Sequence, residues 1–180
     1  MRNRSETIFT SVVRLQNPLL FLEHGLQMEN VYLRLLMWVM GLDMLLMAGN
    51  IGPFVDRIEG LVRGDSYIFP PVHSPGRQPR LLVKEVAKDV YELRNVIAHG
   101  REVPKTPFRV GHELLDVDGR NIYWQPTTYA ETLANAALFL LSRSLEKIFL
   151  EGWTALVESE HEWKSKLKIM ENSARSRRRA

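Results

Sequence analysis

The stretch ELRNVIAHGREV, Glu92 to Val103, sets Arg94, Asn95 and His99 close together and follows them with Gly100. These side chains suit proton transfer on a shared ligand. An imidazole moves protons near neutrality, and a guanidinium has an arm long enough to swing over the same face or to fork onto a carboxylate of a neighbouring helix. A plainer account uses the same residues: a histidine before a glycine stop caps the last helical carbonyls, an asparagine is solvated, and an arginine forms a half-buried ion pair. The direction in which the three point separates the two accounts.

On a helical wheel advancing about 100° per residue, Val86, Val90, Leu93 and Ile97 fall within about 30° of their mean and mark the buried stripe of a helix over 81–99. With Val86 as zero, Lys84, Lys88, Asn95 and His99 fall at about 160–220°, opposite that stripe. Arg94, at about 80°, lies on the border between core and surface. Asn95 and His99 are therefore neighbours at i and i+4 on the exposed face and can share a ligand. Gly100 occupies the position of a left-handed C-cap residue. It leaves His99 at the helix end. Lys88 and Lys84 continue the same face backwards, as a solvated surface does.

Other chemistries find less support. The chain has no cysteine, which excludes disulfides, thiolate metal sites and a cysteine nucleophile and fits a reducing, cytoplasmic setting. His24, His73, His112 and His161 are scattered without ligand spacing, and neither an HExxH motif nor a glycine-rich phosphate loop occurs. In ESEHE, Glu158 and Glu162 at i, i+4 with His161 between them are better explained as a charged helix face than as a cation site. No metal or cofactor is expected.

The overall charge of +3 and pI of 9.3 are unevenly distributed. Residues 164–180 carry seven lysines and arginines against the single acid Glu171, which leaves residues 1–163 at −3. The basic end can hold phosphates non-specifically, though a frayed, solvated tail is the plainer expectation and its removal is expected to leave the fold intact. The acidic body does not by itself argue for an RNA groove.

The elements that must position the site are helical. At 180 residues, 45% hydrophobic and 25% charged, the chain has the composition of one globular domain. Five helical segments are expected: 29–48, apolar nearly all round; 54–62; 81–99; 128–151; and 154–170. For the fourth, Thr128 as N-cap and Glu131 three residues on suggest a capping box. Pro70, Pro71, Pro75 and Pro79 make 65–80 a long loop, and 109–124 suggests a small hairpin around Asp118-Gly119. The opening MRNRSETIF lacks the apolar run of a secretory signal. The apolar stretch Leu33–Gly49 is broken by Arg34 and Asp43 and falls short of the roughly 20 residues needed to span a bilayer, so no membrane partner is expected. The fold class is all-α, a bundle of about five helices forming one domain over 1–163 with its core at about 29–151, and 164–180 as the basic end of the last helix and tail.

Arg94, Asn95 and His99 resemble the motif of the HEPN superfamily (higher eukaryotes and prokaryotes nucleotide-binding), in which an arginine, often followed by a polar residue, precedes a histidine by four to six residues. The flanking LRN and HG look like its ApeA-like branch, and the resemblance spans roughly Glu29 to Glu151. It implies a metal-independent endoribonuclease that acts on single-stranded RNA and leaves a 2′,3′-cyclic phosphate, with Arg94, Asn95 and His99 catalytic and Lys84 and Lys88 on the RNA. It also implies a homodimer with a shared site and a setting in toxin–antitoxin systems or phage defence, with an antitoxin as a further partner. The alternative within the same superfamily is a non-catalytic module that binds a nucleotide or a partner protein.

Overall fold

In a computed structural model, residues 4–62, 82–103 and 126–177 are described. They form seven α-helices with no strand among the described residues. These are α1 (Arg4–Gln27), α2 (Val31–Leu46), α3 (Ile51–Val62), α4 (Leu82–Ala98), α5 (Pro126–Leu150), α6 (Thr154–Glu158) and α7 (Glu160–Arg177). The all-helical class expected from the sequence is the class observed. The expected loop at 65–80 and hairpin at 109–124 lie outside the described residues.

The centre is α2, as its apolar composition requires. Leu35, Trp38, Leu42, Leu45 and Leu46 are fully enclosed by α1, α5 and α4, while α3 packs on α7, α4 and α5. Asn30 opens α2, its side chain accepting from the backbone N–H groups of Tyr32 (2.9 Å) and Leu33 (3.2 Å), the N-cap arrangement. At the other end Met47 turns left-handed, φ 51°. Arg57 of α3 then donates to the carbonyls of Leu46 (2.7 Å) and Met47 (2.8 Å), which satisfies groups that every helix end leaves open. In α5, Leu133, Ala137, Leu140, Leu141, Leu145 and Ile148, which recur at helical spacing, are buried throughout.

Helix α1 has no counterpart among the five expected segments. Asn17-Pro18 interrupts its pattern as a turn would, yet Pro18 lies inside the helix, where packing onto α2 outweighs the missing hydrogen bond. The approach of the two helices is close at Gly25, where a Cβ would stand 2.2 Å from Trp38 Nε1. That indole donates to the Leu22 carbonyl at 3.2 Å.

Two further boundaries differ from expectation. Helix α5 begins at Pro126, a residue suited to the first helical position, so Thr128 lies within the first turn and is not the N-cap. The expected single helix over 154–170 is two. Ser159 is extended, φ −92° and ψ 106°, and its hydroxyl accepts from the Glu162 N–H at 3.4 Å, so S-E-H-E starts a new helix with its acids in the first turn. Helix α7 then runs to Arg177, past the expected end at Met170. Trp163 donates to the Leu45 carbonyl at 2.7 Å, Ala174 is fully buried, and Arg175 pairs with Asp56 of α3 at 2.9 Å. Through residue 177 the basic end is thus part of the bundle and not a frayed tail.

Candidate functional site

Val86, Val90 and Leu93 are fully buried and Ile97 packs partly buried against the same core, which fixes the rotation of α4. The helix ends as its sequence requires. Gly100 is left-handed at φ 63°, its N–H bonds the Ile97 carbonyl at 3.0 Å, and the Arg101 N–H bonds that of Val96 at 2.9 Å. This is the paired-bond stop that a glycine permits. His99 therefore stands exposed at the helix terminus, with Asn95 one turn back and half-buried.

Arg94 points away from open solvent. One guanidinium nitrogen donates to Asn95 Oδ1 at 2.8 Å and the other to Asp43 Oδ2 of α2 at 3.1 Å. The group lies 5.3 Å from the centre of the Tyr91 ring, within cation–π reach, and Tyr91 in turn packs on Phe54 at 4.9 Å. Asp43 is the residue that sequence reasoning missed. It is separated from Arg94 by 51 positions, and its signal was that of a lone acid in an apolar helix, which burial obliges to find a partner. Its Oδ1 is buried with no hydrogen-bond partner among the described residues. Burial pushes the Asp43 carboxyl above the ordinary range, and the Arg94 charge only partly offsets it. Burial likewise raises the Tyr91 hydroxyl, with the Asp43 charge adding to the effect and Arg94 opposing it.

The structure thus joins Arg94 and Asn95 directly, sets His99 one turn further on the same helix, and adds Asp43 and Tyr91. Lys84 and Lys88 lie apart from this group, toward the start of α4. Lys88 pairs with Glu85 at 3.0 Å, and both lysines line a separate cleft. His24 and His161 are exposed on other helices, and His73 and His112 lie outside the described residues. Glu160, the middle acid of ESEHE, pairs with Arg14 at 2.7 Å. No group of three or more potential metal ligands occurs among the described residues, and no single helix among them is long and apolar enough to cross a membrane. Comparison with known proteins finds no matching family model, no matching curated protein and no matching solved structure.

Proposed function

We infer that the chain is a metal-independent endoribonuclease of the HEPN type acting in the cytoplasm on single-stranded RNA. The observation that carries this reading is the hydrogen bond from Arg94 to Asn95 at the exposed end of α4, one turn before His99. It couples a phosphate-gripping fork to a residue that can share a ligand with the histidine. In the proposed reaction the RNA 2′-oxygen forms a bond to the adjacent phosphorus and the bond to the 5′-oxygen breaks, leaving a 2′,3′-cyclic phosphate and a 5′-hydroxyl. His99 moves a proton at one of these oxygens, a role worth about 10²–10⁴ in rate. Arg94 stabilises the non-bridging oxygens, and Asp43 holds Arg94 from behind as a positioning residue.

The other proton requires a second group across the phosphate, and a homodimer would supply the partner's histidine about a two-fold axis. The exposed apolar residues Leu33, Met40 and Met44 on the outer side of α2 support such an interface, since they follow one helical stripe beside Asp43. A role in toxin–antitoxin or phage-defence systems, with an antitoxin partner, rests on the resemblance alone.

The Arg94–Asp43 ion pair also favours a second reading, a non-catalytic module that binds a nucleotide or a protein, because the pairing accounts for Arg94 without any substrate. Incubating the purified chain with single-stranded RNA in EDTA separates the two. Cleavage that persists and disappears in His99→Ala supports the enzyme, and RNA left intact at high protein concentration supports the module.

A further inference from the structure

A cleft of about 530 Å³ opens between the first turn of α3, the side of α4 and the last turns of α7. Ile51, Gly52 and Val55 give it an apolar wall, and the Asp56–Arg175 ion pair closes one end. Lys84, Lys88 and Glu92 enter from α4 at successive turns. Asn95 and His99 extend that same row, all five falling within an arc of about 80° on a wheel advancing about 100° per residue. Glu92 precedes His99 by about 10 Å along the helix axis, and Lys88 by about 16 Å. A strand lying on this face of α4 with its reacting phosphate at His99 would therefore reach the cleft.

The lining selects among ligands. A groove for bare polyanion backbone would be cationic throughout, whereas here two lysines stand beside a carboxylate and an apolar wall. That combination suits a whole nucleotide, with the phosphate at the lysines, the flat face of the base over Ile51 and the adjacent Gly52, and the base edge at Glu92. The volume is within the range of small-ligand sites. Unpaired bases in single strands are read by stacking and by hydrogen bonds to their edges. Of the four RNA bases only guanine presents two adjacent donors, N1–H and N2–H, matching the two oxygens of a carboxylate.

We propose that the cleft between α3, α4 and α7 is a guanine-reading subsite for an RNA strand, with Glu92 accepting from the base edge and Lys84 and Lys88 holding its phosphate. The subsite rests on the ribonuclease reading for its relation to the reacting phosphate, but not for the recognition of the base.

Short 2′-O-methyl oligonucleotides, which lack the attacking hydroxyl and stay intact, provide the test by fluorescence anisotropy. An oligomer of alternating guanosine and uridine is expected to bind about tenfold tighter than oligouridine, the discrimination typical of a bidentate base contact. Glu92→Gln replaces one acceptor oxygen by a donor and should bring the two affinities to within about twofold. Gly52→Trp fills the cleft from its wall and should also remove the preference. Gly52 is exposed and a Cβ there meets only Asn50 Oδ1, at 3.6 Å, so this variant is expected to fold. Equal binding of both oligomers by the parent chain, or a guanosine preference unchanged in both variants, overturns the subsite. Cleavage of natural RNA without any guanosine preference also overturns it while leaving the ribonuclease reading standing. A guanosine preference lost in the variants, with natural RNA left uncut, supports the subsite and removes the ribonuclease.

Discussion

Replacing Arg94 by alanine separates what the arginine does for the fold from what it does for a substrate. In the parent the Arg94 and Asp43 side chains are 25% and 17% exposed, so the pair is partly shielded from solvent screening. Burial already outweighs the arginine's attraction in setting the Asp43 carboxyl above its ordinary range, and its Oδ1 already lacks a partner. Arg94→Ala orphans the second oxygen as well, a desolvation cost of about 1–3 kcal/mol. At about 2–4 °C per kcal/mol for a chain of this size, the melting temperature near neutral pH should fall by roughly 2–12 °C. The pH dependence has a definite sign. Losing Arg94 removes the interaction that draws the Asp43 carboxyl down, so its value in the folded state rises further above the unfolded one. Stability linked to a raised carboxyl is full below the unfolded value and is lost as pH rises through the folded value. The deficit of Arg94→Ala should therefore be smaller at about pH 4 than at about pH 7.5. Adding Asp43→Asn, which keeps the shape without the charge, should recover most of the loss at the higher pH. Circular dichroism melts of the four proteins of this cycle at both pH values measure each term. An equal deficit at both pH values, or no recovery in the double variant, would refute the assignment of Asp43 as the buried partner of Arg94.

The exposed placement of His99 predicts that His99→Ala abolishes RNA cleavage with a stability change within about 0.5 kcal/mol; a chain that still cuts would remove the histidine from the mechanism. Deleting residues 172–180 removes the buried Ala174 and takes Arg175 from Asp56, which is 4% exposed. It should lower stability by about 1–3 kcal/mol, and a truncated chain melting like the parent would show that the end of α7 contributes nothing to the fold. Gly25→Ala sets a methyl against the enclosed Trp38 ring and should cost about 1–3 kcal/mol by overpacking, read as a lower urea midpoint. Light scattering coupled to size exclusion is expected to give a dimer at micromolar concentration, and a monomer that cleaves RNA would contradict a shared site.

The parts of the fold legible in the sequence are those governed by local periodicity. The buried faces of α4 and α5 follow from the spacing of Val86, Val90 and Leu93 and of Leu133 through Ile148, and Gly100 marks its helix end because its backbone conformation is one that few other residues accept. Helix α1 was hidden because Pro18 carries a local signal for a break that tertiary contact with α2 overrides. The division at Ser159 was written in the chain as a helix-start pattern, yet the amphipathic run on either side masked it. In the site, Arg94, Asn95 and His99 were visible because they share one helix. Their rotation was readable, but the destination of the Arg94 side chain was not, since its partner comes from α2 and only the packing of α2 on α4 brings the two together. The closing of α7 onto α3 through Arg175 and Asp56 was hidden for the same reason. The charge pattern of residues 164–180 suggested solvent, and the packing supplied a carboxylate.

The two indoles that are enclosed among the described residues lend the molecule an optical property. Trp38 donates to a carbonyl of α1 and Trp163 to a carbonyl of α2, so each chromophore sits at a different helix–helix seam with its N–H engaged. Trp153 lies at the surface turn, with Lys166 Nζ 4.3 Å from its ring. The near-ultraviolet dichroism and emission of this chain thus carry information about the α1–α2 and α2–α7 seams that the far-ultraviolet signal, dominated by helix content alone, does not contain.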